Sequence, residues 1–170
     1  MRQWMPISTS PKGRLALAAV SEFGARPFGD VAVANLARAA GVTTGALYHH
    51  FGSKLGLYQF VRDDVERRLV DRLEGAFAAG GGVADALAVA FDFAVAEQFL
   101  HLVDVPPAAT AADTIAEVIG GHVRSPLLGA VLVAAWRAAI HAVGEGASAS
   151  DARAALQAID VRPRPVIESP

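Results

Sequence analysis

Apolar residues recur three and four positions apart along nearly the whole chain, and no stretch keeps the period of two that marks a half-buried strand. The pattern predicts an all-α protein. From Lys12 to Gly24, Leu15, Ala18, Ala19 and Phe23 fall on one helix face, and Gly24 and Pro27 supply the stop. A short second helix follows, with Asp30 as its expected cap and Val33, Leu36, Ala37 and Ala40 turned inward. It ends at Gly41, which tolerates the left-handed backbone of a tight turn. In "TTGALYHHF" Thr43 or Thr44 is placed to cap a third helix, and Leu47 and Phe51 stand at the i, i+4 spacing of a buried stripe. Gly52 and Ser53 break the pattern. Ser53 then caps a long fourth helix reaching about Ala79, whose Leu57, Val61, Val65, Leu69, Leu73 and Phe77 recur every four residues.

The second half repeats this grammar with more alanine. Gly80 to Gly82 force a loop, and Val83 to Val103 reads as one helix with Leu87, Ala90, Phe91, Ala94 and Val95 inward, broken by Pro106 and Pro107. Three more helices are expected over residues 108–119, 126–143 and 149–159. Residues 1–11, with Pro6, Pro11 and a Ser-Thr-Ser run, have the composition of a frayed arm. The last ten residues carry three prolines and are expected to be extended or disordered. The organisation that follows is an N-terminal unit over 1–54, a helical unit over 55–160 and a tail over 161–170.

Charge sharpens that division. Residues 1–54 hold six lysines and arginines against two acids, whereas residues 55–170 hold nine against fifteen. A basic segment beside an acidic one points the first toward a polyanion, although an ordinary solvated face carries as much. The chain has no cysteine, so disulfides and thiolate metal sites are excluded. The start "MRQWMPISTSPKGR" lacks the apolar core of a secretory signal, and the longest apolar run, Pro126 to Trp136, stops at Arg137, short of the roughly 20 residues of a membrane span. A cytoplasmic protein without a membrane segment is expected.

Two short helices joined by a glycine-containing turn make a helix-turn-helix, whose second member fits the DNA major groove. Leu36, Ala37, Val42, Leu47 and Phe51 would hold the unit together. Thr43, Thr44, Gly45, Ala46, Tyr48, His49 and His50 would form the presented face. Small residues allow close approach, and the helix start favours phosphate through its unpaired N–H groups. Lys54, at the first position of the fourth helix, is poorly placed for its own helix dipole and well placed for a phosphate.

With "AAGVTTGALYHHFGSK" the chain resembles the TetR family of bacterial transcription regulators, densely over residues 14–60 and beyond that only in architecture. The resemblance implies a three-helix DNA-binding domain joined by a long helix to a helical bundle that binds a ligand and dimerises. It implies DNA contacts from Thr43, Thr44, Gly45, Tyr48, His49 and Lys54, with Tyr48 and Lys54 on phosphate. Three positions depart from the family pattern: Val31 in place of a capping Thr, Ala46 in place of Thr or Ser, and Glu22 in place of an apolar residue. The implied activity is that of a repressor that binds a palindromic double-stranded DNA operator as a homodimer and is released by a small-molecule effector. The rival reading is a helix-turn-helix-like protein-interaction module without specific DNA binding.

The last two helices would form the twofold interface. Leu128, Leu132, Ala135, Ala139 and Val143 make one stripe of residues 126–143, and Leu127, Val131, Ala134, Ala138 and His141 a second beside it, more apolar arc than one core needs. A ligand cavity would draw on Phe91, Phe99 and Trp136, with Phe93, Val95, Ile115, Val118 and Ile119 nearby. Its polar candidates are His101, Asp92, Glu97, Gln98, His122 and Arg137. Ordinary core packing predicts the same composition, and a vestigial effector domain stays open. No cofactor and no metal are expected: His49 and His50 point about 100° apart on a helix, and His101, Asp104 and His122 make a poor set. Neither a nucleophile with its base nor a carboxylate pair at workable spacing is present, so the chain does not read as an enzyme.

Overall fold

The computed structural model describes residues 9–107, 112–159 and 161, and among them every regular element is helical. The elements are α1 (Pro11–Ala25), a 3₁₀ turn (Phe28–Asp30), α2 (Val33–Ala39), α3 (Thr44–Phe51), α4 (Lys54–Ala78), α5 (Val83–Ala96), α6 (Leu100–Val103), α7 (Thr114–His122), α8 (Pro126–Gly144) and α9 (Ala149–Gln157). The all-α expectation holds, and the first four helices begin and end within two residues of the positions read from periodicity.

Local signals account for most of the boundaries. Ser10, Thr43, Ser53, Asp113, Ser125 and Ser148 each accept a backbone N–H from the first turn that follows them. Asp30 does not: it lies in the 3₁₀ turn, donating its N–H to Pro27 O, and α2 starts at Val33 with Ala32 in the capping position and no side-chain cap. Val31 is buried, so the position that departs from the family pattern serves the core.

The fifth helix is shorter than its periodicity implied. It stops at Ala96, turns a corner through Glu97 and Gln98, and resumes as the one-turn α6. Gln98 takes the left-handed backbone (φ +58°), although no glycine or proline announces a break. The following helix runs from Thr114 through Gly120 and Gly121 to His122, so the connection to α8 is only Val123 to Ser125, turned at Arg124 (φ +54°). Residues 108–111, where that helix was expected to start, and the tail from 162 lie outside the described residues.

α4 is the shared element. It packs on α1 and α3 in the N-terminal half and on α5, α6 and α7 in the other. It buries Leu57, Val61, Val65, Leu69 and Leu73 on one stripe, so a single core runs through both halves. Asp64 is also buried there, paired with Arg68 (2.7 Å) and Arg67 (3.7 Å).

α8 continues past Arg137, whose side chain, 7% exposed, is paired with a neighbour through its two terminal nitrogens. Its guanidinium donates to both oxygens of Asp113 (2.5 and 3.1 Å), which also caps α7. At nineteen residues α8 is thereby long and apolar enough to cross a bilayer by length and composition, which the run ending at Arg137 was not. Yet it packs against α5, α6, α7 and α9, burying Leu132, Val133, Trp136 and Ile140. Its other face is bare: Leu127 is 75% and Val131 56% exposed, with Ala134, Ala135 and Ala138 beside them.

Partial burial works against the charge of Asp113, but the hydrogen bonds and charge of Arg137, the Ala116 N–H and the charge of Arg62 outweigh it and hold the carboxyl below its ordinary value. A depressed folded pKa contributes stability in full above the unfolded value of about 3.9 and loses it as pH falls through the folded one. Asp113→Asn keeps a capping oxygen and removes the charge. The melting temperature of the native chain should exceed that of the variant by a constant margin between about pH 5 and 8, and the margin should shrink from about pH 4 downward.

Candidate nucleic-acid interface

The turn between α2 and α3 is fixed by its backbone. Gly41 adopts φ +62°, its N–H reaching Arg38 O (3.1 Å), and Val42 N–H reaches Ala37 O (2.9 Å). That closure lets α3 leave at an angle to α2 with no strained side-chain-bearing residue. Leu36, Ala37 and Leu47 are buried and Val42 and Phe51 half-buried against the same core, as the sequence pattern required.

α3 therefore presents the opposite face to solvent. Thr43, Thr44, Gly45, Tyr48 and His49 are exposed together, Tyr48 by 53%. Thr43 Oγ1 accepts from Ala46 N–H (3.3 Å), which fixes the helix start that would meet the groove. Only its own Thr43 hydroxyl comes near Gly45, at 3.7 Å from an added Cβ, so the surface is open to close approach. Ala46 and His50, also expected on this face, are half-buried, the His50 ring edge-on to Phe51 (6.4 Å). Glu22 lies on the outer side of α1 in an i, i+4 pair with Arg26, which explains how a charge is tolerated there.

Lys54 has an internal partner that the sequence did not reveal. Its Nζ sits 4.1 Å from the ring centroid of Phe28, and Phe28 is stacked on Phe23 (5.8 Å) and meets Tyr58 edge-on (5.1 Å). The aromatic face eases the misfit of a cation at a helix start while leaving its outer hydrogens free. Lys12 is held alike over Phe60 (5.1 Å) and Phe51 (5.7 Å). Arg14 donates Nε–H to Ala40 O (2.9 Å) and Nη1–H to Thr9 O (2.8 Å), tying α1 to the end of α2. The spacing of Lys12 and Arg14 on the first turn of α1 gave no cue to either contact, which needs the fold.

Residues 16–60 match the family model described as bacterial regulatory proteins, tetR family. These residues are a TetR-family DNA-binding domain. The match runs from Ala16 within α1 to Phe60 in the first third of α4 and encloses the whole exposed face of α3, so the N-terminal unit is a DNA-binding domain of the TetR type. No curated protein matches the chain.

The expected ligand residues lie outside the matched segment, in the other half of the chain. Phe91, Phe99 and Trp136 are buried in the core, with Trp136 Nε1–H donating to Leu87 O (3.2 Å) and Phe99 edge-on to Phe93 (5.5 Å). His101 Nδ1 lies 3.4 Å from Asp104 Oδ2, which also meets His141 Nδ1 at 3.2 Å. The remaining polar candidates are dispersed: Asp92 pairs with Arg153, His122 stacks on Phe77 (3.8 Å), and Glu97 and Gln98 face solvent. An open cleft of about 480 Å³ lies instead between α7 and α8, lined by Asp113, Ala116, Glu117, Gly120, Gly121, Arg124 and Pro126. Among the described residues no group of three or more histidine and acidic side chains is arranged to hold a metal ion.

Thr43→Ala removes the hydroxyl that caps α3. The change should cost about 1 kcal/mol of stability by chemical denaturation. It should weaken DNA binding more than Thr44→Ala, because only Thr43 both orders the helix start and faces outward.

Proposed function

We propose that the protein is a homodimeric repressor that occupies a palindromic operator and leaves it when a small molecule binds the C-terminal bundle. The observation that carries the DNA half of this reading is the exposed face of α3, with Thr43, Thr44 and Gly45 at its start, Tyr48 and His49 toward its end, and Lys54 just beyond it on the first turn of α4. Thr43, Thr44 and Gly45 would lie nearest base edges, while Tyr48 and Lys54 donate to phosphate and His49 adds a donor between them.

Two such helices must reach successive major grooves about 34 Å apart, which requires a twofold partner. The bare face of α8 supports one. Leu127 and Val131 with a row of alanines form a continuous apolar strip, and an identical strip related by a twofold axis would cover it. Release by an effector follows from linkage: a ligand that favours another separation of the recognition helices lowers affinity without touching DNA. Such a ligand would part α5, α6 and α8, the packed helices from which Phe91, Phe99, His101 and Trp136 come.

The deciding experiment titrates the protein against the DNA upstream of its own gene, beside scrambled competitor, at two salt concentrations. Selective, salt-sensitive binding is expected. Lys54→Ala should weaken it and lower the slope of log K against log salt by about 1. Tyr48→Ala should weaken operator and scrambled DNA alike. If no genomic fragment is selected over scrambled DNA, the interaction-module reading replaces this one.

Leu127→Glu places a charge at the most exposed apolar position of the bare strip without touching the core. The variant should sediment as a monomer at micromolar concentration where the native chain sediments as a dimer, and it should lose operator affinity while keeping its helical circular-dichroism spectrum.

A further inference from the structure

The DNA-binding domain and the bundle meet backbone to backbone at one glycine. Gly24, buried on the last turn of α1, faces the corner between α5 and α6 so closely that a Cβ there would lie 2.1 Å from Gln98 O and 3.2 Å from its carbonyl carbon. The corner has little slack. Gln98 is held left-handed while its N–H bonds Val95 O (3.1 Å), the next N–H bonds Ala94 O (2.8 Å), and Phe99 is buried directly behind it. On the far side α4 holds the exit from α6, with Arg62 Nη2–H donating to Val105 O (2.6 Å) and Nε–H to Glu66 (2.9 Å).

At its other end α1 grips the helix-turn-helix. Arg14, ten residues before Gly24 and about 15 Å along the helix axis, donates to Ala40 O at the start of the turn into α3. α1 is thus a rod with one end on the bundle corner and the other on the turn that aims the recognition helix. A rigid rod passes a displacement at one end to the other, and interfaces packed this tightly shift as units.

From this we infer that Gly24 is a specificity-determining residue for operator spacing. Its missing side chain sets how closely α1 seats on the Gln98 corner, and so how far apart the two recognition helices of a dimer stand. The inference rests on the dimeric operator reading above. It adds that the spacing is fixed at this joint and not by α4 alone. A Cβ at position 24 must push the corner back by roughly 1 Å, since the carbonyl oxygen opposite belongs to a backbone locked by its own hydrogen bonds.

The test measures affinity of the full chain for a series of operators whose half-sites are separated by successive single base pairs, each step moving the second site about 3.4 Å and turning it by about 35°. The native chain should show one optimum. Gly24→Ala should move that optimum or flatten it, with affinity at the native optimum falling on the order of tenfold. Affinity for scrambled DNA and the salt slope should stay unchanged, because α3 itself is untouched. Gln98→Gly frees the corner without adding an atom, so it should broaden the optimum while leaving the melting temperature equal or higher. This second variant decides the matter if Gly24→Ala does not fold. Native optima in both variants would overturn the inference, as would a loss uniform across all spacings that also erased the salt slope. A native chain with no optimum at all would refute the dimeric operator reading and this inference with it, an outcome separable from the others because it shows in the native chain alone.

Discussion

One helix has to serve both halves of a single core, and the arrangement of everything else follows from it. Over twenty-five residues α4 keeps a stripe of Leu57, Val61, Val65, Leu69 and Leu73 continuously buried while its surroundings change from α1 and α3 to α5, α6 and α7. A stripe recurring every four residues drifts slowly around a helix of 3.6 residues per turn. The partners must therefore wrap around α4 as it advances. The N-terminal domain and the bundle are consequently set at a fixed rotation about α4, which a flexible linker could not provide. Asp64 shows what that position demands: a carboxylate inside the stripe persists only with arginines one turn on, because a lone buried charge is far costlier than the pair.

Elements governed by local chemistry were legible in the sequence. Leu47 and Phe51 announced α3, Thr43 and Ser53 announced its start and that of α4, and Gly41 announced the turn; each signal operates within four residues, and each was found in place. The exposed face of α3 was legible for the same reason, since placing Leu47 inward turns Tyr48 and His49 away from the core, about 100° and 200° further round the helix. Ala46 and His50, at the margins of that face, are half-buried, and the His50 ring lies against those of His49 and Phe51.

Illegible features depend on contacts distant in sequence. Nothing near Gln98 predicts the break in the fifth helix, whose cause lies in the packing around it, including the approach of Gly24 some seventy residues earlier. Asp30 has the right chemistry for a cap, but a 3₁₀ turn takes its backbone one step too early. Lys54 looked unpartnered because its partner, Phe28, is brought over by the packing of Phe23 and Tyr58. Alanine-rich composition likewise leaves filled and hollow interiors indistinguishable, since both place large side chains among small ones. Side-chain burial of Phe91 and Trp136 emerges only once α5 and α8 are set side by side.

The aromatic seats of Lys12 and Lys54 bear on how such a surface would meet DNA under the proposed reading. A free lysine gives up much of its rotamer freedom when it grips a phosphate, and that loss subtracts from affinity. Resting the ammonium on Phe28, or between Phe51 and Phe60, spends part of that entropy during folding. A ring face contacts the cation from one side, so a phosphate approaching from solvent need not displace it. For half-buried cations such as these the attraction is on the order of 1 kcal/mol, too weak to hold the charge against a competing anion. The rings therefore aim the cations without sequestering them. Because Phe51 closes α3 and Phe28 precedes α2, the same core that orients the recognition helix also orients the charges flanking it.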